Sequence, residues 1–458
     1  MLRNPWKHSL CCNLWLMALL LVFVTPDSGQ GQGTATVDQS LALPSTDDGL
    51  PGVGPIRRYD WFQNLWLRRR SQWAQQIEKD QQAVVFLGDS ITQGWNDDFR
   101  GKFPDVKVAN RGISGDTTRG MLLRLEQDVL SLDPAAVVML MGTNDLEELA
   151  TPEQVAANFR LIIRRLKEHN PKMPIIVCEV FPSSESKKRP ADKIKQVNAL
   201  YRESVYGDGQ ITVIDTWTLF ANEDGDAKLE EFPDLLHPNN AGYEKWSKAL
   251  RPVLATLGFI ETEPDAFVVE EGFESLFNGQ DLTGWCYLPT TEEQKQQRAR
   301  WQSNNPSAPP WPVIEQRMEM SGKPKSDDGR YAAIHDRLVV TTPPEGRKIQ
   351  QLWTSQEFNG DFTLLLEFRA TPNADSGVFL RGKQLQCRDF PLAGPYKELK
   401  NYQSGGWNEL KIVVQDSVAH CTCNGEVLEA EFSIPKTGSI GLEGDRGQME
   451  YRRIRISR

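Results

Sequence analysis

Between residues 83 and 258 the chain repeats one unit, a short and almost unbroken apolar run followed by a helical pattern. The runs are Ala83 to Leu87, Val106 to Asn110, Ala135 to Met141, Ile175 to Val180 and Ile211 to Ile214. A strand that is apolar at nearly every position has no face to offer water, so it must be covered on both sides, as in a parallel sheet. Between the runs, Val155, Phe159, Ile162, Ile163 and Leu166 recur at helical spacing, and Thr151-Pro152-Glu153-Gln154 supplies an N-cap, a proline at the first helical position and a capping-box glutamine. The pattern predicts a three-layer α/β domain over residues 55–260. Tyr59, Trp61, Phe62, Leu65, Trp66 and Trp73 interleave with Arg and Gln, which predicts an amphipathic helix before the first strand with its aromatics covering the domain's edge.

After Glu261 the period changes. Phe362 to Phe368, Gly377 to Leu380, Leu410 to Val414, Ser439 to Leu442 and Met449 to Ile456 are short runs rich in β-branched and aromatic residues, separated by turn residues rather than helices. An antiparallel sandwich over residues 272–458 follows. Thr291 to Arg300 is a helix-like interruption, and Ser303 to Pro312 is a proline-rich loop.

At the other end, Arg3 and Lys7 precede an apolar run from Leu14 to Val24, closed by Thr25-Pro26. The run is too short to span a bilayer, which needs about 20 apolar residues, and fits the core of an export signal. Residues 1–25 are therefore expected to be a signal peptide or an uncleaved anchor, and the protein secreted or periplasmic. It meets a membrane only if that segment stays attached. Residues 26–54, rich in Gly, Pro, Ser, Thr and Asp, read as a flexible linker. With 52 Lys and Arg against 62 Asp and Glu, the net charge is -10, and an acidic chain lacks the basic face that a nucleic-acid binder needs. Cys178, Cys286, Cys387, Cys421 and Cys423 lie outside the signal. That density allows at most a bridge or two in the C-terminal part, and buried thiols otherwise. No paired Cys motif or His cluster suggests a metal site.

The chemistry gathers at the ends of the apolar runs. Gly88-Asp89-Ser90-Ile91-Thr92 places a serine on a tight turn at the carboxyl edge of the sheet, where ligands of open α/β sheets bind. A serine there could simply cap a helix; as a nucleophile it needs a base, and the base an orienting acceptor. Of five histidines, His8 lies in the signal, His335 and His420 in the β domain, and His169 at a helix end, which leaves His237 in Asp234-Leu235-Leu236-His237-Pro238. Asp234, three residues earlier, has the spacing to fix the imidazole tautomer, although a turn aspartate beside a surface histidine has the same spacing. Oxyanion donors are available from Asn110-Arg111-Gly112-Ile113-Ser114-Gly115-Asp116-Thr117-Thr118, through the Gly115 amide, and from Gly142-Thr143-Asn144-Asp145, through the Asn144 side chain.

These four blocks, in this order, resemble those of the SGNH (GDSL-type) hydrolase superfamily, most closely the branch with platelet-activating-factor acetylhydrolase catalytic subunits and carbohydrate acetylesterases. The resemblance covers residues 80–257. It implies Ser90 as nucleophile, His237 as base, Asp234 as its partner, and Ser90, Gly115 and Asn144 as oxyanion donors, with no metal or organic cofactor. In the β domain, Ser275-Leu276-Phe277-Asn278-Gly279-Gln280-Asp281-Leu282-Thr283-Gly284-Trp285, Asp375-Ser376-Gly377-Val378-Phe379-Leu380-Arg381, Trp407-Asn408-Glu409 and Tyr451-Arg452-Arg453-Ile454-Arg455-Ile456 resemble the 3-keto-disaccharide hydrolase domain, a concanavalin-like sandwich. The chain departs from it in reading Asp375 for the usual Asn, Gln384-Leu385-Gln386 for Glu-x-Gln, and Asp445-Arg446-Gly447 for Asp-His-Gly. Sugar binding without cleavage is the expectation for this domain, with Trp285, Asp375, Arg381 and Trp407 as candidate contacts. Together the two resemblances imply a serine esterase acting on acetyl or other short acyl esters of carbohydrates, docked on a polysaccharide surface or acting on another small ester. The alternatives are a lysophospholipase- or thioesterase-type lipid hydrolase and a non-catalytic carbohydrate-binding protein.

Overall fold

The computed structural model describes residues 39–261, 265–306, 310–341 and 350–458. The expected signal peptide and the first half of the expected linker lie outside the described residues. The chain divides into Met1–Gln39 and Ser40–Arg458, and both predicted domains belong to the second unit.

The α/β part runs α1 (Asp60–Ala74), α2 (Ile77–Asp80), β1 (Val84–Gly88), α3 (Ser90–Gln93), β2 (Val108–Gly112), α4 (Thr118–Asp128), β3 (Ala136–Leu140), α5 (Thr143–Glu147), α6 (Pro152–His169), β4 (Ile175–Cys178), α7 (Ala191–Ser204), β5 (Ile211–Ile214), α8 (Thr216–Phe220) and α9 (Asn240–Thr256). All five strands are parallel, in the order β2-β1-β3-β4-β5. Alternate strand residues sort to opposite faces: Val85, Leu87, Val137 and Met139 pack with α4, α6 and α7, whereas Val84, Phe86, Val138 and Leu140 pack with α9. This is why every position is apolar, and it makes the three layers expected. The capping box at Thr151 opens α6. Strand order reverses between β1 and β3, so a crevice opens at their carboxyl ends.

Residues 40–54, expected within a flexible linker, instead pack on this domain. Leu41 and Leu43 are buried, Trp66 Nε1 donates to Leu41 O at 3.1 Å, and Asn158 closes on Val53, accepting from its N–H at 2.9 Å and donating to its carbonyl at 2.8 Å. Such paired backbone contacts satisfy polar groups that a tether would leave to water.

The β part is built from β6 (Glu274–Ser275), β7 (Trp285–Tyr287), α10 (Glu292–Asn304), β8 (Met318–Glu319), β9 (Tyr331–Ile334), β10 (Arg337–Val340), β11 (Leu352–Asn359), β12 (Phe362–Ala370), β13 (Asp375–Leu380), β14 (Lys383–Gln386), α11 (Phe390–Ala393), β15 (Asn408–Gln415), β16 (Val418–Cys423), β17 (Glu426–Ser433), β18 (Thr437–Arg446) and β19 (Met449–Ser457). One antiparallel sheet has the order β17-β16-β15-β12-β19-β10-β9 with β6 beside β19, the other β14-β13-β18-β11-β7-β8. Their inner faces share one apolar core, the two-sheet sandwich expected. Cys178, Cys286, Cys387, Cys421 and Cys423 are all free and buried, so no bridge forms among them. The sandwich meets the α/β part through Asn373 Nδ2 to Asp215 Oδ2 at 2.6 Å and Gln448 Nε2 to Thr256 Oγ1 at 3.0 Å. No helix among the described residues is long and apolar enough to cross a membrane.

Candidate active site

Gly88 ends β1 where a side chain would run into Thr92 and the Leu140 carbonyl, so the chain can turn sharply there only with glycine. Asp89 then caps α3, its Oδ1 accepting from Ile91 N at 2.9 Å, and Ser90 becomes the first helical residue at the sheet edge. Tyr243 of α9 ties this turn down by donating to Ile91 O at 2.8 Å. The loop before α9 is fixed in turn by Ser183 Oγ donating to Leu235 O at 2.8 Å and by Asn239 N to Glu231 O at 2.8 Å.

These two anchors bring residues 147 positions apart into one relay. His237 Nε2 lies 3.0 Å from Ser90 Oγ, and Nδ1 lies 2.8 Å from Asp234 Oδ2. The other Asp234 oxygen accepts from the backbone N–H of Leu236 at 3.0 Å and of His237 at 2.7 Å. Burial works to raise the Asp234 carboxyl, but these hydrogen bonds outweigh it and hold the group below its ordinary range. It therefore stays an acceptor, leaving Nε2 of the neutral ring to take the serine proton. The His237 and Asp234 side chains are 46% and 45% exposed, so the relay faces solvent.

Gly115 stands on the loop after β2 and Asn144 in the first turn of α5 after β3, at the same edge. Gly115 has φ +88, and a Cβ there would lie 2.6 Å from Trp61 Cη2 and 3.0 Å from Arg57 Nη1, so only glycine suits both backbone and space. Asn144 is held from both ends. Its Oδ1 accepts from Arg189 Nη2 at 3.0 Å, and its Nδ2 donates to Asp116 O at 3.0 Å, leaving the second amide hydrogen for a ligand. Arg189 is itself fixed on Thr143 O at 3.0 Å, Lys187 O at 2.7 Å and Glu147 Oε2 at 2.8 Å. Nothing in the sequence flags Arg189, which lies in a loop 45 residues from Asn144. Beneath this layer Asp145 accepts from Thr118 N at 2.9 Å and Oγ1 at 2.5 Å, and Asp116 pairs with buried Arg124 at 2.7 Å. Burial pushes Asp89 and Asp145 up to about 6 and Asp116 up to about 7.

The four candidate sugar contacts of the sandwich do not form one surface. Trp285 is fully buried between the sheets, its Nε1 donating to Leu276 O at 2.9 Å. Arg381 follows β13 in the hairpin turn and is buried, donating to Asp416 O at 3.0 Å, Pro435 O at 3.2 Å and Gly360 O, so it ties turns together. Trp407 precedes β15 in the other sheet, with the Arg369 and Arg452 guanidiniums over its ring at 4.7 and 4.1 Å. Asp375 alone joins a polar cluster, on the outer face of the β13-β18-β11 sheet. There it pairs with Arg388 at 2.6 Å, and Glu443 accepts from Gln384 at 2.6 Å and Gln351 at 2.7 Å. Burial raises the Glu443 carboxyl. Trp353 lies over Gly441, where a Cβ would come within 2.7 Å of its ring, and meets Phe379 edge-on at 5.3 Å. The acid absent at Gln384 is thus present beside it as Glu443, contributed by β18.

Comparison with known proteins agrees with this two-part reading. Residues 86–245 match the GDSL-like lipase/acylhydrolase family and residues 272–457 the 3-keto-alpha-glucoside-1,2-lyase-like domain. Platelet-activating factor acetylhydrolase IB subunit alpha2 of Homo sapiens is 29% identical over 203 residues, covering 44% of this chain and 87% of that protein. The human alpha1 subunit is 29% identical over 195 residues, covering 42% and 84%. Among solved structures, a GDSL-like lipase from Bacteroides thetaiotaomicron aligns with TM-score 0.36 and 27% identity, over 41% of this chain and 95% of that one. A lipase/acylhydrolase from Enterococcus faecalis aligns with TM-score 0.31 and 23% identity, over 39% and 97%. The chain carries a GDSL-like acylhydrolase domain followed by a 3-keto-disaccharide hydrolase-like domain.

Proposed function

We propose that this protein is an exported serine esterase that removes acetyl or another short acyl group from a carbohydrate, with the sandwich serving to hold sugar. The observation that carries the proposal is the relay of Ser90, His237 and Asp234, at 3.0 and 2.8 Å. Ser90 Oγ attacks the ester carbonyl while His237 Nε2 takes its proton. The tetrahedral oxyanion draws on the backbone N–H groups of Ser90 and Gly115 and on the remaining amide hydrogen of Asn144. His237 then protonates the departing alcohol, and in the second half-reaction it activates water to cleave the acyl-enzyme.

The acyl size and the substrate class rest on separate supports. The cleft of about 350 Å³ beside Gly115 is lined by Arg57, Glu147, Glu148 and Lys188 together with Tyr59, Trp61 and Leu149, and its ion-paired part is a surface that a long hydrocarbon chain would desolvate at a cost. The curated relatives are named acetylhydrolases, and the second domain matches a family named for a glucoside. Export rests on the charged-then-apolar N-terminus. A fluorophosphonate probe should label the full chain and not its Ser90→Ala variant, and acetate should be released from acetylated glycans faster than butyrate or longer acids from matched esters. Failure to label would remove the serine mechanism, and a rate that climbs with acyl length would turn the reading to a lipid hydrolase.

A further inference from the structure

Helix α1 buries Phe62, Trp66 and Trp73, yet Tyr59 and Trp61 at its start remain 53% and 51% exposed. Two large aromatics thus keep half of their surface in water. Their rings lie nearly parallel, at 10° with centroids 6.3 Å apart, and Phe62 meets Trp61 edge-on at 5.7 Å. They form one wall of the cleft of about 350 Å³ that Arg57, Glu147, Glu148, Leu149 and Lys188 complete. Trp61 also abuts the Gly115 loop. A polar chain links the same wall to Asn144: Tyr59 Oη to Glu148 Oε1 at 3.4 Å, Glu148 to Arg57 Nε at 2.7 Å, Arg57 to Glu147, Glu147 to Arg189 at 2.8 Å, and Arg189 to Asn144 Oδ1 at 3.0 Å.

We propose that Tyr59 and Trp61 are the platform on which the sugar ring of the leaving alcohol lies while its ester is cleaved, an assignment that rests on the esterase reading above. The chemistry of the cleft selects this occupant. Arg57 is neutralised by Glu147 and Glu148, and Arg189 by Glu147, so the walls donate and accept hydrogen bonds with little surplus charge, which suits an uncharged polyol. Half-exposed aromatic rings offer apolar surface that matches the C–H face of a pyranose. A quaternary ammonium group is better served by rings that enclose it than by one open aromatic wall. An acyl tail would strip water from the ion pairs.

The test compares esters that share the acetyl group and differ in the alcohol: O-acetylated methyl glycopyranosides, ethyl acetate and acetylcholine, with the full chain, Trp61→Ala, Trp61→Phe and Tyr59→Ala. The ratio of kcat/KM for the sugar ester to that for ethyl acetate should fall about tenfold or more in Trp61→Ala, as loss of a stacked ring predicts, and Trp61→Phe should recover most of it. Isothermal titration of the deacetylated glycoside into wild type and Trp61→Ala should give the same contrast without turnover. An unchanged ratio and unchanged binding would overturn the platform. Equal loss on both esters would also overturn it, by reducing Trp61 to a support for the Gly115 loop, and a loss confined to acetylcholine would reassign it to a cation. If wild type cleaves none of the esters, the esterase reading falls, and the titration alone decides the platform.

Discussion

Replacing Asn144 by alanine separates catalysis from folding in a way the structure makes calculable. The side chain does three things: Nδ2 holds Asp116 O, Oδ1 receives Arg189, and the second amide hydrogen is available to the oxyanion. Loss of an oxyanion donor lowers kcat about 10²- to 10³-fold, or about 2.7–4 kcal/mol, because the donor acts only once negative charge has developed. The structural cost is separate. The buried Asp116 carbonyl loses this partner, at about 1–3 kcal/mol, whereas Arg189 keeps Thr143 O, Lys187 O and Glu147. A domain of ordinary stability, about 5–15 kcal/mol, survives that loss. Steady-state kinetics on an acetyl ester should therefore show kcat down at least about 10²-fold with KM within a few-fold of wild type, and thermal melting should show a modest drop with a single cooperative transition. A variant that keeps more than a tenth of the wild-type kcat, or that changes KM alone, would refute the oxyanion role and make Asn144 a ground-state contact.

Ser90→Ala and His237→Ala should each lower kcat on the order of 10⁴- to 10⁶-fold, and the double variant should be little worse than either, since the two act as one unit. Pre-steady-state release of the alcohol should vanish in both. Asp89 is fully buried and raised to about 6 by that burial against the hydrogen bond from Ile91. Because its folded value lies above the unfolded 3.8, the folded state holds the extra proton, so this group favours folding most below pH 4 and loses that contribution as pH rises through about 6, roughly 3 kcal/mol in all. Asp89→Asn mimics the protonated form, so urea titrations should show the variant gaining on wild type between about pH 4 and 7 and keeping that gain above it; a gap that is constant from about pH 4 to 7 would contradict the assignment. Trp285→Ala should destabilise the sandwich by about 3–5 kcal/mol through a core cavity, and a specific loss of sugar affinity without that destabilisation would restore Trp285 as a contact.

What the sequence made legible is the chemistry that sits within a few residues of a strand end. Ser90, Gly115 and Asn144 each sit in a short block at the end of β1, β2 and β3, and parallel strands in one sheet bring those ends to one edge whatever the helices do. His237 and Asp234 were legible because three residues suffice for both contacts between them. Arg189, Arg57 and Glu147 were not, since each reaches Asn144 or Gly115 only through tertiary packing and an arginine in a loop has no local signature. Which way Trp285 faces was not legible because a strand of three residues has too short a period to say which face meets the core, nor was the direction of Arg381, because a turn residue's direction depends on which loops lie around it. Val53 and its neighbours carried the composition of a tether, but composition does not report that Asn158 waits with both an acceptor and a donor.

The two halves of the site differ in burial, a difference that the proposed mechanism accounts for. His237 and Asp234 are close to half exposed, and a base that passes a proton to a departing alcohol and then draws one from water needs that access in both half-reactions. Asn144, Arg189, Asp116 and Arg124 are buried, and donors aimed at a transient oxyanion gain strength from being dry and already oriented. Orientation without water is helped by partners for the acids below the donors: Asp116 faces Arg124 at 2.7 Å and Asp145 takes both donors of Thr118. The raised carboxyls of that layer are then the cost of a rigid oxyanion side, borne as a stability that declines toward neutral pH. Replacing those acids singly would relieve the burden only where the substituted group keeps the same hydrogen bonds. Asp89→Asn meets that condition because its Oδ1 alone is engaged, whereas Asp116→Asn would leave Arg124 without its closest countercharge.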